Sequence, residues 1–189
     1  MGVGESGACG VPLTGAPGEK PVLTVSVTLR PAVPMSHMMG VPYVAALGVA
    51  EALGAQVAWP HGVVAADGVR TEVRTHAGYD DDGMFVTCEL SGPAATDAAA
   101  DAARARVDAW AADVAAGRGV AGPLAPVLGD YFDVCALMGK PVAVVYPNGN
   151  VAAKGTLAGV DVWGRATVRL LTGREMEVAP EQASIRALH

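Results

Sequence analysis

Aromatic residues and long apolar runs are both scarce in this sequence. Aromatic side chains make up only 5% of the 189 residues, so Ala, Val and Leu have to form most of a core. No run of about 18 apolar residues is free of Gly, Pro or charge, although a membrane-spanning helix requires one. The first residues also lack the basic start and apolar run of a secretory leader. We therefore expect a cytoplasmic protein without a membrane partner.

Cysteine residues, closely spaced histidines and excess positive charge are also scarce or absent in the sequence. The three cysteines, Cys9, Cys88 and Cys135, are odd in number and widely spaced, which fits neither a disulfide framework nor a Cys-x-x-Cys metal site. The four histidines show no paired spacing, so we expect no metal site. The formal net charge is −6, whereas proteins that bind duplex DNA usually carry a basic patch. We expect no nucleic acid partner.

Apolar residues are abundant, at 51% of the chain against 17% charged residues. This balance excludes a disordered chain, because it supplies enough apolar surface to offset the ordering of the backbone. Residues 1–21 hold six Gly, three Pro and no Arg, which predicts a flexible arm. Strand and helix patterns predict an α+β domain over residues 22–122. Residues 123–189 are predicted to form a linker segment and then short strands, as in a small barrel or sandwich.

A strand with one polar face is predicted directly after the arm. The sequence alternates with a period of two over residues 22–29, which places Thr24, Ser26 and Thr28 together on one face. Leu and Val side chains occupy the other face and point toward a core. The polar face could bind a ligand or could simply face solvent, and alternation favours neither.

Trp59 is a second candidate for ligand binding. It precedes Pro60, and a residue before proline is held in an extended conformation. A large flat ring fixed at the end of a short strand suits either the wall of a ligand site or an anchor in the core. Residue type alone favours the core anchor.

Several short motifs occur in a characteristic order along residues 20–188. They are Leu29-Arg30-Pro31 before an Ala-rich helix, Trp59-Pro60, Met138-Gly139-Lys140-Pro141-Val142, Gly155-Thr156-Leu157-Ala158-Gly159-Val160-Asp161 and Trp163-Gly164. This order resembles the biotin–protein ligases, a family similar to the lipoate ligases. The resemblance implies an α+β fold, with a mixed β-sheet and packed helices, plus a small C-terminal barrel resembling a Src-homology-3 domain. It also implies biotin and ATP as ligands and a biotin-acceptor carrier protein, whose lysine receives the biotin, as partner.

The resemblance also assigns site residues. Arg70 stands in place of the family lysine that contacts the reacting carboxylate and phosphate, which makes it the candidate catalytic residue. Ser91 stands in place of the asparagine that ends the family's Gly-Ile-Gly-Ile-Asn strand. With the residues discussed above, the implied ligand-binding set is Trp59, Thr24, Ser26, Thr28 and Ser91.

Departures from the family pattern affect the residues that handle negative charge. The family's Arg-rich loop would fall on residues 4–18, which contain no Arg or Lys, and Ala58 replaces the lysine of its Lys-Trp-Pro-Asn-Asp motif. Two strand glycines of the family are Thr87 and Glu89 here. Losing one donor that stabilises a developing charge costs about 3–4 kcal/mol. We therefore expect a diverged, N-terminally truncated member with weak or no ligase activity.

Three alternatives remain open from the sequence. The chain could be a working ligase that completes its site with another subunit. It could be a non-catalytic module that binds a small acid. It could also be a protein-interaction module, including a homodimer formed through the sheet.

We expect deletion of residues 1–18 to leave the melting temperature nearly unchanged. That segment has little apolar surface to bury, and terminal segments of this kind contribute little to stability. Thermal denaturation of the full and shortened chains measures the effect. A loss of more than several degrees would contradict the arm prediction.

Overall fold

Two five-stranded antiparallel sheets organise residues 23–188, which are the residues described by the computed structural model. The predicted arm, residues 1–21, lies outside this range. The first sheet has the order β1-β5-β4-β3-β2. Its strands are β1 (Thr24–Leu29), β2 (Gln56–Ala58), β3 (Gly62–Val64), β4 (Arg70–Asp80) and β5 (Gly83–Ser91).

The second sheet has the order β10-β6-β7-β8-β9. Its strands are β6 (Pro141–Val145), β7 (Val151–Val160), β8 (Ala166–Leu170), β9 (Glu175–Val178) and β10 (Ser184–Ala187). Within the described residues, no pairing between its outer strands β9 and β10 closes this sheet into a barrel.

Three α-helices complete the fold. They are α1 (Val41–Leu53), α2 (Asp97–Ala115) and α3 (Leu128–Val134), with 3-10 helices at Met35–Gly40 and Ala125–Val127. None of the helices in the described range is long and apolar enough to cross a membrane. The combination of these helices with two antiparallel sheets confirms the predicted α+β class.

The prediction of a mixed sheet needs correction, because every strand pair of the first sheet is antiparallel. Short turns join β2 to β3, β3 to β4 and β4 to β5, and a parallel pair would need a crossover of a dozen or more residues. The only parallel contact in residues 23–188 is an isolated bridge between Val57 and Cys135. It ties the outer strand β2 to the segment before the second sheet.

Helix α1 lies at the centre of the core. Proline at its first turn and Gly54 at its C-cap, with a φ of 59°, define its ends, as the sequence predicted. Most of the helix is buried, and Gly48 allows α2 to approach closely. A Cβ at Gly48 would lie 2.6 Å from the Cβ of Arg106 on α2. The two helices cover the apolar face of the first sheet, where Val73 and Cys88 are fully buried.

A backbone carbonyl of the second sheet's β7–β8 turn contacts both α1 and the residue after β2. The oxygen of Gly164, in the turn between β7 and β8, accepts hydrogen bonds from Tyr43 Oη and Trp59 Nε1, each at 2.9 Å. Gly164 has a φ of 85°, and both donors are buried. We call this arrangement the carbonyl junction. Because buried donors without a partner are costly, it fixes the second sheet against α1 and β2.

We expect Gly164→Ala to lower the free energy of unfolding by about 3–5 kcal/mol, because it combines backbone strain with overpacking. The new Cβ would lie 2.5 Å from Tyr43 Oη. Gly173→Ala is the matched control, because Gly173 has a similar φ of 82° and open space around its Cβ. The control is expected to cost only about 1–2 kcal/mol. Equal losses in urea denaturation would contradict a role for the carbonyl junction.

Candidate functional site

One face of the first sheet is polar across three neighbouring strands. Cross-strand partners share a face, and the register aligns Thr24 with Ser91 and Ser91 with Glu72. The next two aligned rows are Ser26, Glu89 and Arg74, and then Thr28, Thr87 and His76. We call this surface, together with Arg70, the polar sheet face. The β1 hydroxyls Thr24, Ser26 and Thr28 are exposed, as alternation predicted.

Arg70 lies on the same side of β4 as Glu72, two residues along the strand. Its Nε is 2.5 Å from Glu72 Oε1, and the two side chains are 45% and 41% exposed. The guanidinium covers Gly62, because a Cβ placed there would lie 2.6 Å from its Nη2. The charge of the candidate catalytic residue is therefore already matched by a carboxylate.

Thr87 and Glu89 project from the middle strand of the polar sheet face. Ser91 Oγ donates to Glu89 Oε1 at 3.3 Å and lies 3.3 Å from Thr24 Oγ1. The resemblance expects glycine at these two positions, where a flat ligand could lie directly against the strand backbone. The side chains of Thr87 and Glu89 cover that backbone here.

Trp59 is not brought to this face. It is 3% exposed, and its indole N–H donates to the Gly164 carbonyl that Tyr43 of α1 also contacts. The structure thus brings Arg70, Thr24, Ser26, Thr28 and Ser91 to one surface and places Trp59 in the carbonyl junction. This placement matches the core-anchor alternative.

Glu72 and Arg74 are parts of the surface that sequence reasoning missed. The sequence pattern that indicates them was present, because charged residues and a histidine occupy every second position from Arg70 to His76. The pairing of Arg70 with Glu72 could not be predicted from the sequence, because both residues fit a solvated strand face equally well.

Ala58 occupies the position of the motif lysine that the resemblance expects. It is 9% exposed and is aligned with Gly62 of β3.

Neither described cysteine has the surroundings of a nucleophile. Burial raises the pKa of Cys88 to about 11, and it also raises the pKa of Cys135. The thiolate is the reactive form, so little of it exists at neutral pH. Within residues 23–188, no cluster of three or more His, Cys, Asp or Glu residues could hold a metal ion.

Solved structures with a similar fold are biotin protein ligases. The apo biotin protein ligase from Aquifex aeolicus aligns with a TM-score of 0.61 and 15% identity, over 88% of this chain and 83% of that chain. The same enzyme in complex with biotin and ATP aligns with a TM-score of 0.59 and 15% identity, over 88% and 79% of the two chains. At these identities, the likeness shows the fold: this chain has a biotin protein ligase-like α+β fold.

A third similar structure is a biotin protein ligase-like protein of unknown function from Silicibacter sp. TM1040. It aligns with a TM-score of 0.51 and 22% identity, over 83% of this chain and 78% of that chain. No protein-family model and no curated protein sequence matches this chain.

We expect the two described cysteines to resist labelling by a thiol reagent at pH 7 in the native Cys9→Ser variant. Both are buried, and their raised pKa values keep them protonated. Labelling should appear only when urea unfolds the chain. Fast modification of the native variant, monitored by mass spectrometry, would contradict this expectation.

Proposed function

We propose that this chain is a diverged biotin–protein ligase-like protein that does not activate biotin. The observation that carries the proposal is the position of Glu89, aligned with both Ser26 and Arg74 in the middle of the polar sheet face. Glu89 adds bulk and negative charge at a position where the resemblance expects glycine. The fold shared with biotin protein ligases makes this the surface to compare.

The charges on the polar sheet face argue against activation. Joining a carboxylate to an α-phosphate concentrates negative charge, and preorganised cations normally stabilise it. Here Arg70 is paired with Glu72, and Glu89 places a further carboxylate beside Arg74. No lysine is among the residues of this face in the described range. The described residues of this face therefore do not supply the cationic surroundings that the reaction needs.

The shape of the same face argues against biotin and ATP as ligands in the family manner. Thr87 and Glu89 stand between any ligand and the β5 backbone. Ser91 is engaged with Glu89 and lies beside Thr24, so it is not free to replace an asparagine amide. The residues of this face therefore do not fit biotinyl-adenylate.

A protein-interaction role is the second candidate, and the exposed charges of the polar sheet face favour it. Arg70, Glu72 and Arg74 alternate in charge along β4, and Glu89 of β5 is aligned with Arg74, which gives a surface that can complement a charged partner. A biotin-acceptor carrier protein or a second copy of this chain would fit the resemblance.

We also propose that the second sheet corresponds to the small Src-homology-3-like barrel of the family. We further propose that the protein is cytoplasmic.

We expect the isolated chain to show no biotin-dependent exchange of pyrophosphate into ATP at pH 7. The carboxylates of Glu72 and Glu89 and the absence of Arg and Lys from residues 4–18 each reduce the stabilisation of the negative charge that develops in the reaction. Such losses can compound. A competent biotin ligase assayed in parallel confirms the reagents.

Exchange near the level of the competent enzyme would contradict the proposal. In that case, Arg70→Ala and Arg74→Ala form a matched pair, because both residues lie on β4 and share the face. Selective loss in Arg70→Ala would identify Arg70 as the residue that carries the chemistry. If neither variant changed the exchange, the chemistry would lie outside this face.

A further inference from the structure

A second surface feature lies beside the carbonyl junction and shares no residue with the polar sheet face. It is a cleft of about 350 Å³, between the first turn of α1, His61, the β7–β8 turn and the connection from β9 to β10. We call it the junction cleft. The residues used below are Met39, Tyr43, His61, Trp163, Arg165 and Glu181.

The walls of the junction cleft are largely apolar and aromatic. Met39 is 49% exposed and Trp163 is 40% exposed, although both are large hydrophobic residues. Single exposed hydrophobic residues are common, but two of them lining one concave site with few polar groups are typical of a ligand site. Tyr43 adds a second aromatic ring, which packs edge-on against His61 at 5.8 Å between ring centroids.

Arg165 lines the junction cleft, but carboxylates outside the lining neutralise its charge. The Nε and Nη2 atoms of Arg165 lie 2.8 and 2.7 Å from Asp161, and its Nη1 atom lies 3.0 Å from Glu177. One guanidinium is thus matched by two carboxylates. Glu181 adds a third carboxylate, and no ion pair engages it within the described residues.

The field of these carboxylates extends to the buried tyrosine. Burial raises the pKa of Tyr43, and the charges of Glu181 and Asp161 raise it further. Burial lowers the pKa of His61, so its imidazole is largely neutral at pH 7 and adds little positive charge. Its Nδ1 atom has no hydrogen-bond partner among residues 23–188. An anionic ligand is therefore disfavoured here, whereas a cation is favoured.

We propose that the junction cleft binds a small primary alkylammonium ion. The ammonium group lies near Glu181, where aromatic rings and a carboxylate both attract a cation. The alkyl stem packs against Met39 and the neighbouring prolines of the cleft. This inference does not rest on the proposed function, because the residues that line the cleft are not those of the polar sheet face.

The test is a titration of the full chain with n-pentylammonium chloride at pH 7, followed through the tryptophan indole N–H signals in a nitrogen–proton correlation spectrum. Trp163→Phe assigns the reporter signal, and the Trp110 indole, which donates to Pro123, is an internal control. We expect a saturable shift of the Trp163 signal only. 1-Pentanol and sodium pentanoate, which keep the stem and change the head group, should bind more weakly.

Glu181→Gln removes the proposed charge and is expected to weaken binding about fivefold. Glu175→Gln is the matched control, because Glu175 is an exposed carboxylate paired with Arg169 and does not line the cleft. The control should bind like the unmodified chain. No saturable shift, equal binding of 1-pentanol or pentanoate, or unchanged binding in Glu181→Gln would each overturn the proposal. Pyrophosphate exchange tests the proposed function separately.

Discussion

The fold depends on the carbonyl oxygen of Gly164, which accepts buried hydrogen bonds from Tyr43 on α1 and Trp59 after β2. Loss of either bond would leave a buried donor without its partner, which costs about 1–3 kcal/mol. The Val57–Cys135 bridge and the Tyr131 hydroxyl, which donates to the Pro60 carbonyl, support the same region. The second sheet and the segment before it are therefore fixed to the first sheet by polar contacts as well as by apolar packing.

The carbonyl junction lies apart from the polar sheet face. Strand pairing forms that face from β1, β4 and β5, with Gly62 beneath Arg70, while the Trp59 indole donates to Gly164. That face carries paired charges and side chains at the positions of expected glycines. The junction cleft instead combines aromatic rings with unbalanced carboxylates. We propose that the first surface does not handle an anionic ligand and that the second binds a cation.

Local patterns predicted much of the fold. Alternation placed Thr24, Ser26 and Thr28 on one face, and Gly54 was recognised as the end of α1 because only a residue tolerant of positive φ suits that cap. Helix α3 went unrecognised, since seven residues are too few to show a helical period. The partner of Trp59 lies 105 residues away, and the Arg70–Glu72 pair depends on side-chain conformations. Neither can be read from local sequence.

We infer that the polar sheet face does not accept biotin and ATP. Backbone amide spectra of the isotopically labelled chain test this inference when they are recorded with and without both ligands, at concentrations that saturate a competent ligase. We expect no saturable shifts for Ser26, Thr87, Glu89 and Ser91. Saturable shifts clustered on these residues would contradict it and would show that the face still forms the family's ligand site.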